Sequence, residues 1–443
     1  MNDQLVIVAD RALIDGVAQG PTAVLSDGGM IVAVGEPSDI TARAPGARRL
    51  DWSHRALVPG TINTHNHSFQ SLLRGIGDDL PFLEWREKAL YRYSPKLTAQ
   101  DMGTAALFAF GEMLLHGVTT VCDFFYINAH GNEHATATIE AARRLGIRIV
   151  LARCFYDWER APEAYRESVS EAVENFHALH DRYKDPARHL VTIQPAPHSQ
   201  HGASAQMIEA GASCANDAGV PWHIHLAEEQ YQVHESLRRF GKRPLHAVSE
   251  LQVDMSSMIA VHGCWFDETE RALLAERGGC LAYCPGSNMF LGDGVTDLVD
   301  LLKRGVRVGL GTDGGCSNNR VSVFDEMRMA ALLQKVHRTN GQAITAEQCY
   351  ALGTSGAGEV LRLPIGRIAP GYRCDVVALD LDDPSLWPAQ ALEKNVVYAL
   401  SPRAITDVVV DGQEVVTARQ LVHVPLDEIQ VRVAELTGDW RRS

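Results

Sequence analysis

The residues with the clearest chemical potential in this 443-residue chain are two histidines, His65 and His67, which follow an apolar run. In a β-strand, residues two positions apart point to the same face, so both imidazoles can reach one ion. Neutral imidazole is a common ligand of zinc and other divalent metals. The pair therefore indicates either a metal site or a polar turn at the end of a strand.

Other histidines and acids also stand where apolar runs end, at five of the eight runs between residues 56 and 314. A random scatter of the 18 histidines would not place them so. Three neutral imidazoles and one carboxylate suit a divalent ion, with one position left open for water. We therefore expect one such ion, zinc in the first place, although iron or manganese would also fit. The strand-end residues are His65 and His67, His198, His225 with Glu228, His262, and Asp313.

The eight apolar runs alternate with helix-like segments, several of which end in glycine, a helix-stop signal. Continuous apolar runs of this length favour strands buried on both faces, as in a parallel sheet. Eight strand–helix units predict a (β/α)8 barrel, whose active-site residues come from the C-terminal ends of the strands. A doubly wound open sheet is the alternative, but it would more often carry a glycine-rich phosphate loop after its first strand. The runs span residues 56–65, 118–125, 147–155, 190–198, 220–228, 256–263, 279–286 and 306–314.

The two ends of the chain have a different pattern, with short β-rich runs and turn residues. We expect them to pair into a small composite β-sandwich domain beside the barrel. The predicted division is therefore residues 1–55 and 366–443 for the β domain and residues 56–365 for the metal-dependent barrel.

The composition is that of an ordinary globular protein, with 46% hydrophobic and 22% charged residues and a net charge of −14. The chain has no basic block with interleaved aromatic residues, which argues against nucleic acid or an anionic membrane as the partner. Its nine cysteines are irregularly spaced without a CxxC pair, which argues against a thiolate zinc site and favours buried reduced thiols. No apolar stretch reaches roughly 18 residues. We expect a cytoplasmic protein that acts on a small molecule.

Four motifs resemble those of the amidohydrolase superfamily, which has a (β/α)8 barrel and a composite β domain. They are THNH (64–67), HLAE (225–228), VHG (261–263) and GTDG (311–314), and the resemblance covers nearly the whole chain. It implies that His65, His67, His225 and Asp313 bind the metal. It also implies that Glu228 and His262 are the catalytic pair of the deaminase branch. The alternative role for Glu228 is a carboxylate that orients a metal ligand.

The fourth predicted strand, QPAPHSQH, lacks the lysine that bridges two metals in binuclear members of this superfamily, so we expect one metal ion. His198 then lies on the substrate side, or it makes a structural hydrogen bond. A metal lowers the pKa of bound water from about 15.7 to around 7. By resemblance, Asp313 and His262 accept the proton, the hydroxide attacks an amidine-type carbon, and Glu228 carries protons to the departing ammonia.

Two families within the deaminase branch each match part of the chain. S-adenosylhomocysteine/methylthioadenosine-type deaminases resemble it at SLLRGIGDDLPFLEW (71–85) and GTDGGCSNN (311–319), although HSQHGAS (198–204) departs from their pattern. N-formimino-L-glutamate deiminase resembles it at HSFQ (67–70) and HIHLAEEQ (223–230). The second resemblance implies that Gln70, Arg86 and Tyr126 hold the amino-acid end of the substrate. However, His201 stands where that family has a carboxylate-pairing arginine, and histidine replaces it poorly.

We therefore expect an aminated heterocycle of the nucleoside, purine or pterin type as substrate, with a formimino or triazine compound as the alternative. Trp85 stacks on a substrate ring or packs in the core, and Arg86 binds a substrate anion or forms a surface salt bridge. Asn288 lies near the substrate or in a turn, and Cys284 is interpreted as a buried thiol. Hydrolysis of a cyclic amide or a C–Cl bond and a catalytically silent metal-binding role are the other functional classes, but the presence of both Glu228 and His262 favours deamination. The resemblance is compatible with a homo-oligomer.

Overall fold

A computed structural model describes residues 3–128, 130–184 and 190–440. Residues 1–2 and 441–443 of the two predicted terminal segments lie outside the described residues. The strands are β1 (Gln4–Ile14), β2 (Val17–Gln19), β3 (Thr22–Asp27), β4 (Met30–Gly35), β5 (Arg48–Pro59), β6 (Thr61–Asn66), β7 (Val118–Phe125), β8 (Arg148–Phe155), β9 (Val191–Pro197), β10 (Trp222–Leu226), β11 (Met258–His262), β12 (Cys280–Tyr283), β13 (Arg307–Leu310), β14 (Val376–Asp380), β15 (Ile405–Val410), β16 (Gln413–Thr417) and β17 (Gln420–Leu421).

The α-helices lie mainly between the strands β6 to β13 and after them. They are α1 (Pro37–Arg43), α2 (Phe82–Trp85), α3 (Tyr91–Tyr93), α4 (Ala99–Leu115), α5 (Glu133–Leu145), α6 (Val169–Tyr183), α7 (Ala205–Ala218), α8 (Gln230–Phe240), α9 (Pro244–Val248), α10 (Glu268–Glu276), α11 (Pro285–Leu291), α12 (Leu298–Lys303), α13 (Val323–His337), α14 (Ala346–Leu352), α15 (Ser355–Leu361), α16 (Leu392–Tyr398) and α17 (Leu426–Thr437).

Strands β6 to β13 form two four-stranded parallel sheets, ordered β6-β7-β8-β9 and β10-β11-β12-β13. Every residue of β7 and β8 is buried, as expected for parallel strands with both faces covered. The alternation of strands and helices confirms the predicted α/β class. Seven of the eight predicted runs contain one strand each, and only the first differs.

The two parallel sheets touch each other at both edges, near the C-terminal ends of their strands. At one junction the N–H of His225 donates to the carbonyl of His198 at 3.1 Å. At the other, the N–H of Asp313 donates to the carbonyl of His65 at 3.0 Å. These bonds bring residues from both sheets to a common end of the fold.

The first predicted run, 56–65, is two strands rather than one. Strand β5 ends at Pro59 and pairs with the terminal strands, and β6 begins at Thr61. Gly60 lies between the two strands and packs against Thr119. Only glycine fits there, because a Cβ at this position would lie 2.2 Å from Oγ1 of Thr119. Residues 56–59 therefore belong to the sheet built from the chain ends.

Strands from both ends of the chain share one nine-stranded sheet, in the order β17-β16-β15-β14-β5-β1-β3-β4 with β2 paired to β1. Strand β5 connects the two ends because it pairs in parallel with β1 and antiparallel with β14. Ile7, Leu57 and Val376 lie in a buried cluster of this sheet. The two ends of the chain thus contribute strands to one continuous hydrogen-bonded sheet.

A buried ion pair connects this terminal sheet to the start of β8. Arg148 donates from Nε and Nη2 to the two carboxylate oxygens of Asp375, both at 3.0 Å. A buried guanidinium needs such a bidentate partner to offset its loss of hydration. This ion pair thus joins the terminal sheet to the N-terminal end of β8. Among the described residues, no helix combines the length and apolar character needed to cross a membrane.

Candidate metal centre and catalytic pocket

The predicted metal ligands converge at the C-terminal ends of the parallel strands. Asp313 Oδ1 lies 3.5 Å from Nε2 of His65 and 3.3 Å from Nε2 of His67. His225 enters from the second sheet and places its Nε2 at 3.2 Å from Nε2 of His65. One ligand atom each of His65, His67 and Asp313 lies within 4.8 Å of the others. The structure thus brings all four predicted ligands together.

Hydrogen bonds determine which nitrogen of two of these histidines faces the centre. His67 Nδ1 lies 2.6 Å from the carbonyl of Phe124, and His225 Nδ1 lies 2.7 Å from the carbonyl of His198. Because a carbonyl can only accept, each Nδ1 carries the proton, and each Nε2 lone pair points to the centre. Burial lowers the pKa of His67 to about 4 and that of His225 well below its usual value, so both rings are neutral. Neutral imidazoles held in this way fit a divalent metal ion.

Asp313 is oriented by Ser287, which lies on helix α11 after strand β12. Ser287 Oγ donates to Oδ2 of Asp313 at 2.6 Å, so Oδ1 faces His65 and His67. Burial alone would raise the pKa of Asp313. The hydrogen bond from His65 and the neighbouring imidazoles outweigh it and hold this pKa well below its usual value. Asp313 is therefore a carboxylate with one oxygen available to a metal or a water molecule.

The backbone is left-handed at three strand ends of the site. Ala227, His262 and Asp313 have φ values of 49°, 70° and 59°. Positive φ costs free energy for residues other than glycine, and such positions cluster at functional sites. These residues lie at or just after the ends of β10, β11 and β13, and strand spacing in the sequence does not show this backbone conformation.

Glu228 and His262 form the predicted catalytic pair beside the ligands. Glu228 Oε1 lies 3.5 Å from His262 Nε2, and Gln232 Nε2 donates to Glu228 Oε2 at 3.3 Å. Burial, and then the charges of Asp313 and Glu229, raise the pKa of Glu228 well above its usual value. A carboxyl that holds its proton near neutral pH can act as a general acid.

Asn288 lies behind His262 and sets its proton position. Asn288 Nδ2 donates to Nδ1 of His262 and to Oδ2 of Asp293, both at 3.1 Å. The ring proton of His262 is therefore on Nε2, which faces Glu228. Sequence reasoning left Asn288 open between a substrate contact and a turn, and it missed Asp293. No periodic pattern marks Asp293, which accepts from Asn288 five residues earlier in the chain.

The predicted substrate residues line one pocket next to the metal centre. Gln70 Nε2 donates to the Tyr126 hydroxyl at 2.9 Å, and His198 stacks on Tyr156 with ring centroids 4.2 Å apart. Burial lowers the pKa of His198 well below its usual value, so its ring is neutral. All six predicted substrate residues reach this pocket, namely Gln70, Trp85, Arg86, Tyr126, His198 and His201.

Trp85 and Arg86 both line the pocket, and each also makes the structural contact that the sequence analysis gave as its alternative role. Trp85 is buried and donates from Nε1 to the carbonyl of Cys316 at 2.9 Å, yet it also lines the pocket. Arg86 forms a salt bridge to Glu87 at 2.8 Å while its guanidinium covers the ring of Tyr91. Cys284 is a buried free thiol whose pKa burial raises well above its usual value, as the sequence interpretation expects.

A family model described as "Amidohydrolase family" matches residues 56–415. The 5-methylthioadenosine/S-adenosylhomocysteine deaminase of Syntrophobacter fumaroxidans is 32% identical over 421 residues, which are 95% of this chain and 93% of that protein. The protein of the same name from Natronomonas pharaonis is 34% identical and covers 89% of this chain and 88% of its own. Both relatives therefore match this chain along most of its length.

Two solved structures share the fold over almost the whole chain. A zinc-bound adenosine deaminase from Xanthomonas campestris superposes with a TM-score of 0.90 at 27% identity and covers 99% of both chains. The atrazine chlorohydrolase from Arthrobacter aurescens TC1, complexed with zinc, gives a TM-score of 0.91 at 25% identity and covers 98% of this chain and 99% of its own. The strand ends that carry the metal centre in this chain are thus part of an architecture shared with zinc-bound hydrolases.

Proposed function

The chain belongs to the amidohydrolase family, and on that premise we propose that it deaminates an aminated heterocycle of the nucleoside, purine or pterin type. The protein is a hydrolase of carbon–nitrogen bonds other than peptide bonds, as its family and its deaminase-named relatives indicate. The observation that carries the proposal is the buried pair of Glu228 and His262, with Oε1 of Glu228 at 3.5 Å from Nε2 of His262, directly beside the ligand cluster.

We assign the metal to His65, His67, His225 and Asp313, and we propose a single zinc ion. The zinc-bound structural relatives and the neutral, Nε2-directed imidazoles support this assignment. When bound, a divalent ion supplies a water molecule whose pKa is lowered to around 7. The second sheet contributes His225 and Asp313, so both sheets must be in place for the ligand set to be complete.

Different residues beside the metal ligands carry out the separate proton transfers of the reaction. Asp313 accepts one proton of the attacking water, and Glu228 donates its proton to the ring nitrogen of the substrate. The proton on Asp313 then passes to the amino group, which leaves as ammonia, and the proton of the new hydroxyl group returns to Glu228 as the carbonyl forms. The sequence interpretation gave His262 a proton-accepting role. With its proton held on Nε2 by Asn288, His262 instead donates a hydrogen bond that orients the water. Such general acid–base groups typically contribute about 10²–10⁴-fold to the rate.

We assign substrate contacts to Gln70, Trp85, Arg86, Tyr126, His198 and His201. Trp85, Tyr126 and the stacked pair of His198 and Tyr156 supply flat surfaces for a heterocycle. The bonded Gln70 and Tyr126 near Arg86 favour a formimino-amino-acid substrate as the second candidate. His201 argues against that candidate, because burial lowers its pKa to about 4 and leaves no charge to pair with a carboxylate.

We further propose that the two parallel sheets close into one (β/α)8 barrel. The backbone bonds from His225 to His198 and from Asp313 to His65 support closure at both junctions. The predicted division has the barrel at residues 56–365 and the β domain at 1–55 and 366–443. We move the first boundary to Gly60, because residues 56–59 pair in β5 with the terminal strands. Nine buried free thiols support a reducing, cytoplasmic location.

Paired measurements of bound metal and ammonia release test these roles. His67→Ala should lose both the metal and the activity, because it removes one ligand. Glu228→Gln should keep the metal and lower kcat by about 100-fold or more, because an amide cannot donate and accept protons in turn. Glu276→Gln, a substitution of an exposed glutamate on α10, serves as the matched control and should change neither quantity. Loss of metal from Glu228→Gln would mean that Glu228 is a ligand and the role assignment is wrong.

A further inference from the structure

Asp123, on strand β7, is a buried carboxylate that the proposed mechanism does not use. Its Oδ1 accepts from the main-chain N–H of Ser68 at 2.6 Å and from Nδ2 of Asn66 at 3.0 Å. Its Oδ2 accepts from the hydroxyl of Ser68 at 2.7 Å. The three donors belong to the two neighbours of His67, so one side chain of β7 holds the residues on both sides of a proposed metal ligand.

The next residue of β7 holds His67 itself. The carbonyl of Phe124 accepts the proton of His67 Nδ1 at 2.6 Å, which leaves Nε2 for the metal. Asp123 and Phe124 therefore contact three consecutive residues, 66–68. The carboxylate holds the chain at positions 66 and 68, and the carbonyl sets the direction of the ring between them.

Strand pairing alone does not determine this geometry, because the pairing of β6 with β7 is irregular just before the ligand. Asn63 pairs with Val121 and Asn66 pairs with Asp123, so two residues of β6 oppose one residue of β7 between these pairs. Such bulges redirect side chains and are common next to active sites. Strand β6 then ends at Asn66, so His67 lies beyond the paired residues. The position of His67 therefore depends on the bonds that its neighbours make.

The burial of Asp123 makes these bonds conditional on one conformation of the chain. A buried carboxylate is costly unless hydrogen-bond donors satisfy it. Among the described residues, the donors to Asp123 all come from positions 66 and 68. The cost is therefore offset only while this segment keeps the conformation that directs His67 to the metal centre.

We propose that Asp123 is a positioning residue of the metal centre, which acts through Asn66 and Ser68 to hold His67 in the orientation that the metal requires. The inference rests on the proposed assignment of His67 to the metal, and it does not depend on the identity of the substrate. Partners that orient metal-binding histidines typically contribute about 10- to 100-fold to metal affinity. We expect an effect of this size, because Asp123 supplies three of the bonds that hold the segment.

The test measures the dissociation constant of zinc by competition with a chromogenic chelator, together with the absorption spectrum of the cobalt(II)-loaded protein. Asp123→Ala should weaken zinc binding by about 10- to 100-fold and shift the cobalt bands, because His67 loses its fixed position. Asp123→Asn should bind zinc more tightly than Asp123→Ala, since an amide can accept from the N–H of Ser68 and donate to its hydroxyl. Weaker zinc binding with unchanged cobalt bands would show a role in stability alone and would overturn the inference.

Asp254→Ala is the matched control, because Asp254 accepts from the same kinds of donor. The N–H of Ser256 lies at 2.9 Å, and the hydroxyls of Ser256 and Ser257 lie at 3.0 and 2.8 Å from its carboxylate. Asp254 precedes β11, and none of these partners is a proposed ligand. This variant should keep the native zinc affinity and the native cobalt bands. A loss equal to that of Asp123→Ala would overturn the inference.

The result for His67→Ala separates this inference from the metal assignment. Native zinc affinity in Asp123→Ala, with loss of zinc in His67→Ala, would overturn the inference and leave the assignment intact. Native affinity in both variants would overturn the assignment and the inference together. If Asp123→Ala does not fold, Ser68→Ala decides, because it removes only the hydroxyl bond to Oδ2. Zinc binding weaker by about threefold or more in Ser68→Ala then supports the inference, and native affinity overturns it.

Discussion

The chemistry of this site depends on which nitrogen of each histidine carries the proton. Backbone carbonyls hold the protons of His67 and His225 on Nδ1 and leave Nε2 to the metal. Asn288 imposes the opposite arrangement on His262, whose Nε2 carries the proton toward Glu228. The same side-chain type therefore serves as a ligand or as a hydrogen-bond donor according to its one fixed partner.

Substitution of Asn288 tests this assignment. Asn288→Ala removes the bond to Nδ1 of His262, so the ring can lose its orientation and take the other tautomer. We expect kcat to fall by about 10- to 100-fold, the range typical for partners that orient functional histidines. Metal content should stay native, because Asn288 contacts none of the four proposed ligands. Native kcat with native metal content would show that another contact holds His262.

Glu326 gives the fold a pH dependence that can be measured. Its carboxyl accepts from the N–H of Gly286 at 2.8 Å and from Asn318 at 2.7 Å, and burial raises its pKa to about 8 from 4.5. The folded state therefore binds this proton more tightly than the unfolded state. Proton binding by Glu326 therefore stabilises the folded state. This stabilisation is complete below pH 4.5 and is lost as the pH rises through about 8.

Glu326→Gln cannot ionise, so it lacks this decline in stability. We expect the variant to unfold at a lower temperature than the native protein at pH 5, because an amide nitrogen cannot accept from Gly286 or Asn318. The difference in unfolding temperature should shrink between pH 5 and pH 9. Glu276→Gln, at an exposed position, controls for general pH effects. A difference that stays constant over this range would contradict the raised pKa.

At the scale of elements, the end of β13 lies so close to β6 that only glycine fits at position 311. A Cβ there would lie 2.8 Å from Cβ of His65 and 2.9 Å from its backbone nitrogen. Gly311→Ala should therefore displace His65, weaken metal binding, and cost about 1–3 kcal/mol of stability, as overpacking does. Gly20→Ala, where nothing lies within 4 Å, should leave both quantities native. Native metal affinity in Gly311→Ala would show that this close approach does not position His65.

Most strands of the parallel sheets could be predicted, because burial on both faces leaves a continuous apolar run in the sequence. The prediction of a single strand over residues 56–65 was wrong, because the first four residues of this run are equally apolar but pair with β1 and β14. Strand β14 begins at Val376, more than three hundred residues further along the chain. Which sheet an apolar segment joins is a non-local property, and the spacing of residues does not record it.

For the whole molecule, the sequence could predict which histidines and carboxylates gather at the strand ends but not the groups that contact them from elsewhere in the chain. The ligands and the catalytic pair stand at strand ends, and the architecture brings strand ends together. The bond from Asn288 to His262 and the Arg148–Asp375 pair that joins the two parts of the fold depend on contacts between segments that are distant in the sequence.

The most direct test of the account is ammonia release by the zinc-loaded protein. The assay compares 5′-methylthioadenosine, S-adenosylhomocysteine and a panel of aminopurines and pterins with N-formimino-L-glutamate. We predict one ammonia released per heterocycle converted, loss of this activity in Glu228→Gln, and no release from N-formimino-L-glutamate. Release from N-formimino-L-glutamate alone would contradict the account, because the pocket would then hold a linear amidine and its carboxylates without the missing arginine.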